Sequence, residues 1–181
     1  ININMDKKII LITGGIWYIW SHAVVAFEQA GYKTVIVDNL DNSCLSTYRN
    51  IWEILGYKPD FYEIDLRDKE KLNEIFKKYK FDWVLHFAWL KAVGESCEKP
   101  LHYFDNNVVG SLRLFELMQE YNVKNIIFSS SATVYDWDIY ENIDFSWALE
   151  SDKTWNTSNP YGTTKFLLEN ILNDLSKFSK F

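Results

Sequence analysis

The sequence predicts an α/β fold in three layers, a doubly wound parallel sheet with helices on both faces, and three observations predict it. Short aliphatic and β-branched runs alternate with stretches of helical periodicity along most of the chain, the pattern of repeated β-α-β units. The opening run, Lys8-Ile9-Ile10-Leu11-Ile12-Thr13, ends in the pair Gly14-Gly15 and passes at once into a helical pattern. The next run, Thr34-Val35-Ile36-Val37, closes on an acid, Asp38, about 20 residues past the glycine turn, the interval at which such an acid meets a ribose diol.

Each element follows from local chemistry. The first run is continuously apolar, as a strand buried on both faces requires. Ser21 to Gln29 repeats apolar residues at helical spacing, and Gly31 is its stop. After the second strand, Ser46 to Leu55 reads as a helix, broken by Gly56-Tyr57-Lys58-Pro59, and Phe61-Tyr62-Glu63-Ile64 is a third strand ending at Asp65. Asp68 caps a helix through Lys69 to Tyr79 whose outer face is charged. Trp83 to Phe87 is the fourth strand, Asn106 to Tyr121 a long amphipathic helix, and Asn125 to Phe128 the fifth strand, running into Ser129-Ser130-Ser131. Positions 136–157 are polar, dotted with tryptophan and weakly periodic, a long surface excursion of the kind that often carries function. Pro160-Tyr161-Gly162-Thr163-Thr164-Lys165 leads a last helix over Phe166 to Leu175. No internal repeat or low-complexity linker interrupts this order.

With 181 residues and 48% hydrophobic content, the chain is one domain, 1–181, with ample material for a core. A net charge of -6, with no Lys/Arg cluster larger than the pairs Lys7-Lys8 and Lys77-Lys78, argues against nucleic acid as a partner and for small molecules. Cys44 and Cys97 are far apart and outside any CxxC, so neither a disulfide framework nor a zinc site is expected, and a reducing cytoplasmic compartment is. His22, His86 and His102 lack metal-ligand spacing, and no metal is expected. The uncharged stretch from Ile9 to His22 is too short to span a bilayer, so no membrane partner is expected.

The glycine turn is where the sequence breaks its own pattern. A dinucleotide-binding turn uses spaced glycines to bend, to let backbone approach a pyrophosphate and to pack the helix on the strand. Gly14 and Gly15 are present, but Trp17 and Trp20 stand at the second and third positions, in a chain with eight tryptophans. An indole at 17 is expected to project into the pyrophosphate volume, and one at 20 to wedge the helix off its strand. Such overpacking costs about 1–3 kcal/mol per site.

Ser129-Ser130-Ser131 after the fifth strand and Tyr161-x-x-x-Lys165 on the following helix complete a set that resembles the extended short-chain dehydrogenase/reductase superfamily. Within it the match is to the UDP-glucose 4-epimerase family, on Val37-Asp38-Asn39-Leu40, the stretch His86 to Ser96, Asp105-Asn106-Asn107-Val108, Phe128 to Tyr135 and Asn159-Pro160-Tyr161-Gly162. The resemblance implies a Rossmann-like domain that holds NAD tightly and acts on a UDP-hexose. Tyr161, as phenolate, would take the proton of the sugar 4-hydroxyl while a hydride leaves C4. Lys165, one helical turn on, would lower the phenol pKa from its free value of about 10, and Ser131 would hydrogen-bond the same oxygen. Carried over position by position, the cofactor contacts are Gly14 and Gly15 in the turn, Tyr18 and Ile19 at the pyrophosphate, Asp38 and Asn39 at the ribose, and Asp65 and Leu66 at the adenine. Phe87, Ala88, Lys91 and Asn106 fall on the nicotinamide side, with Tyr161 and Lys165.

That family pattern expects glycine at 17, 20, 89 and 136, where this chain has Trp17, Trp20, Trp89 and Asp136. Family members also continue beyond the equivalent of Phe181 into a smaller domain that grips UDP. The expectation is therefore an NAD-binding domain of a UDP-glucose/UDP-galactose 4-epimerase, working through a 4-keto intermediate, with impaired activity. A second reading is an inactive or engineered Rossmann variant whose NAD cleft is filled by Trp17, Trp20 and Trp89. A third is another nucleotide-sugar dehydratase or epimerase, against which Ser131-Ala132-Thr133-Val134 lacks the Asp-Glu pair of such dehydratases. The sheet edge left after the last helix calls for a cover, such as a second copy in a homodimer.

Overall fold

The computed structural model describes residues 7–135, 149–151, 154 and 156–179. In chain order the elements begin with β1 (Ile9–Thr13), α1 (Tyr18–Gln29), β2 (Lys33–Asp38), α2 (Leu45–Leu55), β3 (Asp60–Glu63), α3 (Lys69–Lys78) and β4 (Trp83–His86). They continue with α4 (Val93–Glu98), α5 (Pro100–Tyr103), a π-helical turn over Phe104–Val109, α6 (Gly110–Glu120), β5 (Ile126–Phe128), a 3-10 turn over Ala132–Val134, and α7 (Pro160–Phe178). The chain divides into two compact units, Ile1–Trp89 with Arg113–Phe128, and Leu90–Leu112 with Ser129–Phe181.

The first unit holds the whole sheet, five parallel strands in the order β3-β2-β1-β4-β5. Strand alternation sends Ile10, Ile12, Ile36 and Leu85 to one face and Leu11, Val35, Val37 and Val84 to the other, all of them buried. On the first face, Val24 of α1 and Ile51 of α2 close a cluster with Ile10, Ile12, Ile36 and Leu85. On the second face Phe115 of α6 brings its ring 6.0 Å from that of His86. There α3 and α6 bury Leu72, Ile75, Phe76, Leu114, Leu117 and Met118, and Lys69 of α3 reaches Glu116 at 3.0 Å and Glu120 at 2.7 Å. Each of these apolar side chains contributes about 1.5–3 kcal/mol by leaving water, which is why the doubly covered strands read as unbroken apolar runs.

Register fixes where the loops emerge. Thr13 is level with Val37 on one side and His86 on the other, so β1, β2 and β4 end together. Gly14 N donates to Val37 O at 2.8 Å and Phe87 N to Thr13 O at 3.1 Å. Gly14 itself has φ 69°, and a Cβ there would lie 2.6 Å from the Phe87 carbonyl oxygen.

The second unit is helical among its described residues. Asn107, fully buried, accepts from Leu90 N at 2.9 Å and donates to Leu90 O at 2.9 Å and to Thr164 Oγ1 at 3.2 Å. These bonds clamp the π-helical turn to α7. Tyr103, Val108, Val134 and Leu168 form its apolar interior.

Several boundaries differ from the sequence reading. The first helix starts at Tyr18, three positions ahead of Ser21, because Trp17 adopts the extended N-cap conformation (φ -77°, ψ 151°). The last helix starts at Pro160, where Asn159 Oδ1 caps Gly162 N at 2.8 Å and proline occupies the first turn. The helix expected from Asn106 is preceded by α5 and runs through the π-helical turn, and α4 was not anticipated. Asp136 and most of the excursion over 136–157 lie outside the described residues; of that stretch, Thr154 pairs with Tyr135 in an isolated antiparallel bridge. The wedge expected at Trp20 is not formed. Its ring stacks on Phe87 at 3.7 Å and 8°, while Val24 still closes on the Ile12 face of the sheet. No helix among the described residues is long and apolar enough to cross a membrane.

Replacing Gly14 by alanine combines a left-handed backbone with a clash against main chain, and is expected to cost about 2–5 kcal/mol in urea unfolding. Gly94→Ala, inside α4 with nothing within 4 Å of the new methyl, is the control and should be neutral or stabilising.

Candidate functional site

In the first unit, the residues singled out at the ends of β2 and β3 form two neighbouring hydrogen-bonded groups. Asp38, only 5% exposed, accepts from Leu40 N at 3.0 Å and Ser43 Oγ at 2.7 Å through Oδ1. Its Oδ2 takes a longer contact from Ile16 N at 3.4 Å, so that oxygen keeps lone-pair capacity for a diol. Asn39 Oδ1 accepts from Asp41 N at 3.2 Å, and its Nδ2 donates to Asp65 Oδ2 at 3.2 Å. Asp65 also receives Arg67 N and Nε, each at 2.9 Å, and the terminal guanidinium nitrogen at 2.6 Å. The Arg67 side chain, with the backbone and Asn39 bonds adding to it, holds the Asp65 carboxyl at about 2. Leu66 next to it is buried.

The start of α1 carries no side-chain cap, leaving its first-turn amides to other partners. Gly15 is buried against Ile12, Ile36 and Val24, whereas Tyr18 and Ile19 are 71% and 52% exposed. Trp17, half-buried, meets Tyr18 edge-on at 6.3 Å. A cleft of about 520 Å³ opens here, lined by Trp17, Tyr18, Asn42 and Ser43 among others. Phe87 is buried and Ala88 half-buried at the end of β4. Trp89, 9% exposed, packs its ring 4.1 Å from His86 and 5.1 Å from Phe128. His86 shares a 2.7 Å hydrogen bond with Thr13 Oγ1, a structural role for the one fully buried histidine among the described residues.

In the second unit, Ser131, Tyr161 and Lys165 come together. Ser131 Oγ accepts from Thr133 N at 3.2 Å and Thr133 Oγ1 at 2.9 Å, so its own proton is left for the Tyr161 oxygen. Burial pushes the Tyr161 phenol up, and the Ser131 hydrogen bond opposes that rise. Lys165 is 0% exposed; its Nζ donates to Ser129 O at 2.7 Å and lies 5.8 Å from the centre of the Tyr161 ring. Burial pushes this ammonium well below the ordinary lysine range, with Glu169 opposing. The lowering of the phenol expected from Lys165 is therefore not what this state holds: desolvation acts against both charges. Lys91 is exposed, and Asn106, half-buried, donates to Asn107 Oδ1 at 3.0 Å.

Four contributors escaped the sequence reading. Asn42 and Ser43 belong to the loop whose Asp38-Asn39 alone was singled out. Asn107 stood in a quoted motif with no role assigned to it. Gly162 is required because a Cβ there would sit 2.7 Å from the Thr133 carbonyl oxygen, and that approach sets α7 against the turn beside Ser131. The quoted motifs contained Asn107 and Gly162, but nothing local disclosed their partners.

Residues 10–179 match the NAD dependent epimerase/dehydratase family. The chain is 48% identical over 167 residues to UDP-glucose 4-epimerase of Yersinia enterocolitica, covering 92% of this chain and 48% of that protein. It is 43% identical over 173 residues to UDP-glucose 4-epimerase 2 of Arabidopsis thaliana, covering 94% and 48%. The crystal structure of UDP-glucose 4-epimerase from Bifidobacterium longum in complex with NAD+ and UDP superposes with a TM-score of 0.88 at 40% identity, over 95% of this chain and 50% of that one. The chain thus spans about half the length of these relatives.

Two outcomes follow. Asp65 has a folded pKa below its unfolded value of about 3.9, so its contribution to stability is present above that value and is lost as pH falls toward about 2. Denaturation at several pH values should show Asp65→Asn less stable than the parent at pH 7 and the gap closing across that window. Removing the one contact that lowers the phenol, by Ser131→Ala, should move the Tyr161 titration further up, as read from ring-labelled tyrosine by NMR against Tyr161→Phe.

Proposed function

This chain belongs to the NAD dependent epimerase/dehydratase family, and on that footing we propose that it is the NAD-binding part of a UDP-hexose 4-epimerase, with the cofactor held more weakly than an all-glycine turn would allow. The observation that carries this reading is the grouping of Ser131, Tyr161 and Lys165 around one phenol. The residues fit the cofactor at its adenosine end: Asp38 offers a buried carboxylate oxygen with spare capacity, and α1 begins without a side-chain cap.

When bound, NAD supplies reversible hydride exchange at the sugar C4. The chain's own part is proton transfer. With the phenol's own proton passed to the Lys165 amine, Tyr161 Oη accepts the proton of the 4-hydroxyl as the sugar becomes a 4-keto compound and returns it when the carbon is reduced from the other face. Inversion results without net oxidation. Ser131 donates its hydroxyl proton to the same phenol oxygen and stabilises its anion. Burial penalises a lone phenolate and a lone ammonium alike, so Tyr161 and Lys165 gain most by being charged together.

The same reading assigns Asp38 and Asn39 to the ribose, Asp65 and Leu66 to the adenine, Gly14, Gly15, Tyr18 and Ile19 to the pyrophosphate turn, and Phe87, Ala88, Lys91 and Asn106 to the nicotinamide side. Weaker binding follows from the indoles. Trp20 covers one face of Phe87, Trp17 lines the cleft at the start of α1, and Trp89 fills space beside His86. A cofactor-free variant of the fold is the competing reading, favoured by that same Trp20–Phe87 stack.

Calorimetric NAD titration separates them. Trp17→Gly is expected to bind at least about tenfold more tightly than the parent, a gain of about 1.4 kcal/mol, with a further gain in the Trp17→Gly, Trp20→Gly, Trp89→Gly chain. Tight binding by the parent refutes the weakened seat, binding absent in the parent and restored in the triple variant favours the cofactor-free reading, and no binding by any of the three refutes this part of the chain as an NAD holder on its own.

A further inference from the structure

We propose that the loop after β2 is a strap closed across the crevice between β1 and β4, latched by Asn42 on the Trp89 carbonyl, and that a dinucleotide enters when this latch opens. The inference rests on the cofactor reading above. Strand order β3-β2-β1-β4-β5 places β1 between the strand that launches the loop and the strand that launches Trp89. Adjacent strands lie about 4.8 Å apart, so the ends of β2 and β4 are separated by about 10 Å. Asn42 Nδ2 nevertheless donates to Trp89 O at 2.9 Å. The loop therefore crosses above the end of β1, at the point where strand order reverses, which in open α/β sheets is where ligands lie.

Both ends of the strap are stiff, and the latch between them is weak. At the near end Asp38 Oδ1 holds Leu40 N and Ser43 Oγ, Asn39 Oδ1 holds Asp41 N, and Leu40 sits in the left-handed region at φ 63°. At the far end the Trp89 ring is buried against His86 and Phe128, so its carbonyl does not follow the loop. The latch is one neutral side-chain to backbone hydrogen bond, and the loss of such a bond shifts an open–closed equilibrium by about two- to tenfold. That is strong enough to favour the closed loop and weak enough to release.

The test uses the whole chain and its Asn42→Ala and Asn42→Asp variants, the second keeping side-chain size while removing the donor. Hydrogen exchange by mass spectrometry reads the segments 39–44 and 87–91, and stopped-flow tryptophan quenching reads NAD association. Expected are exchange about two- to tenfold faster in 39–44, unchanged exchange in 87–91 and in the sheet, where Phe87 N and Leu90 N keep their own partners, and NAD association faster by a similar factor. Unchanged exchange in 39–44 overturns the strap. Faster exchange with unchanged or slower association overturns its role as a gate, slower association assigning Asn42 to holding the cofactor instead. If neither parent nor variants bind NAD at millimolar concentration, the gate falls together with the cofactor reading, whereas binding with an unaltered rate sinks the gate alone.

Discussion

Where β1 ends, the backbone of Gly14 runs against the Phe87 carbonyl so closely that no side chain fits between them, and the hydrogen bonds Gly14 N to Val37 O and Phe87 N to Thr13 O lock the three strand ends level. Because β1, β2 and β4 stop together, the glycine turn, the Asp38 carboxylate and the Phe87 loop emerge side by side at one edge of the sheet. The parallel arrangement then gives all three loops the same direction. The reach of the Ile16 amide to Asp38 depends on this common stopping line.

The tryptophans show how a fold absorbs bulk at positions where glycine would be expected. Trp20 lies flat on Phe87, and Trp89 is enclosed by His86 and Phe128. Aromatic pairs of this kind contribute about 0.5–1.5 kcal/mol beyond their buried area, which offsets part of the overpacking that such residues impose. Helix α1 keeps its seat on the sheet through Gly15, whose small size lets Val24 close over Ile12 and Ile36. The stacking that settles the Trp20 indole also covers one face of Phe87.

In the second unit the controlling quantity is desolvation. Lys165, Asn107 and Thr164 are fully buried polar side chains, and their bonds to Ser129 O, Leu90 and the Tyr161 carbonyl satisfy groups that would otherwise destabilise the interior. Burial pushes the phenol of Tyr161 up and the ammonium of Lys165 down, the directions that keep both groups neutral. A donor such as Ser131 counts for more in such surroundings than in water, since the low local dielectric strengthens each hydrogen bond it permits.

The sequence by itself determined the alternation of strands and helices, the parallel sheet, the acid at the end of β2, and caps such as Asp68, whose carboxylate takes Lys71 N at 3.1 Å. These are written in spacing and in local preference, so a few adjacent residues carry each of them. It also brought Ser131, Tyr161 and Lys165 to attention, through a resemblance spread over many short motifs. Tertiary structure alone decided that Trp20 turns onto Phe87, that Asn42 reaches a carbonyl 47 residues away, that Gly162 is small for the sake of Thr133, and that burial outweighs the Ser131 hydrogen bond at the phenol. Each of those depends on which distant segment the folded chain returns to that point, and on how completely it shuts out water there, and neither is encoded in the neighbouring residues.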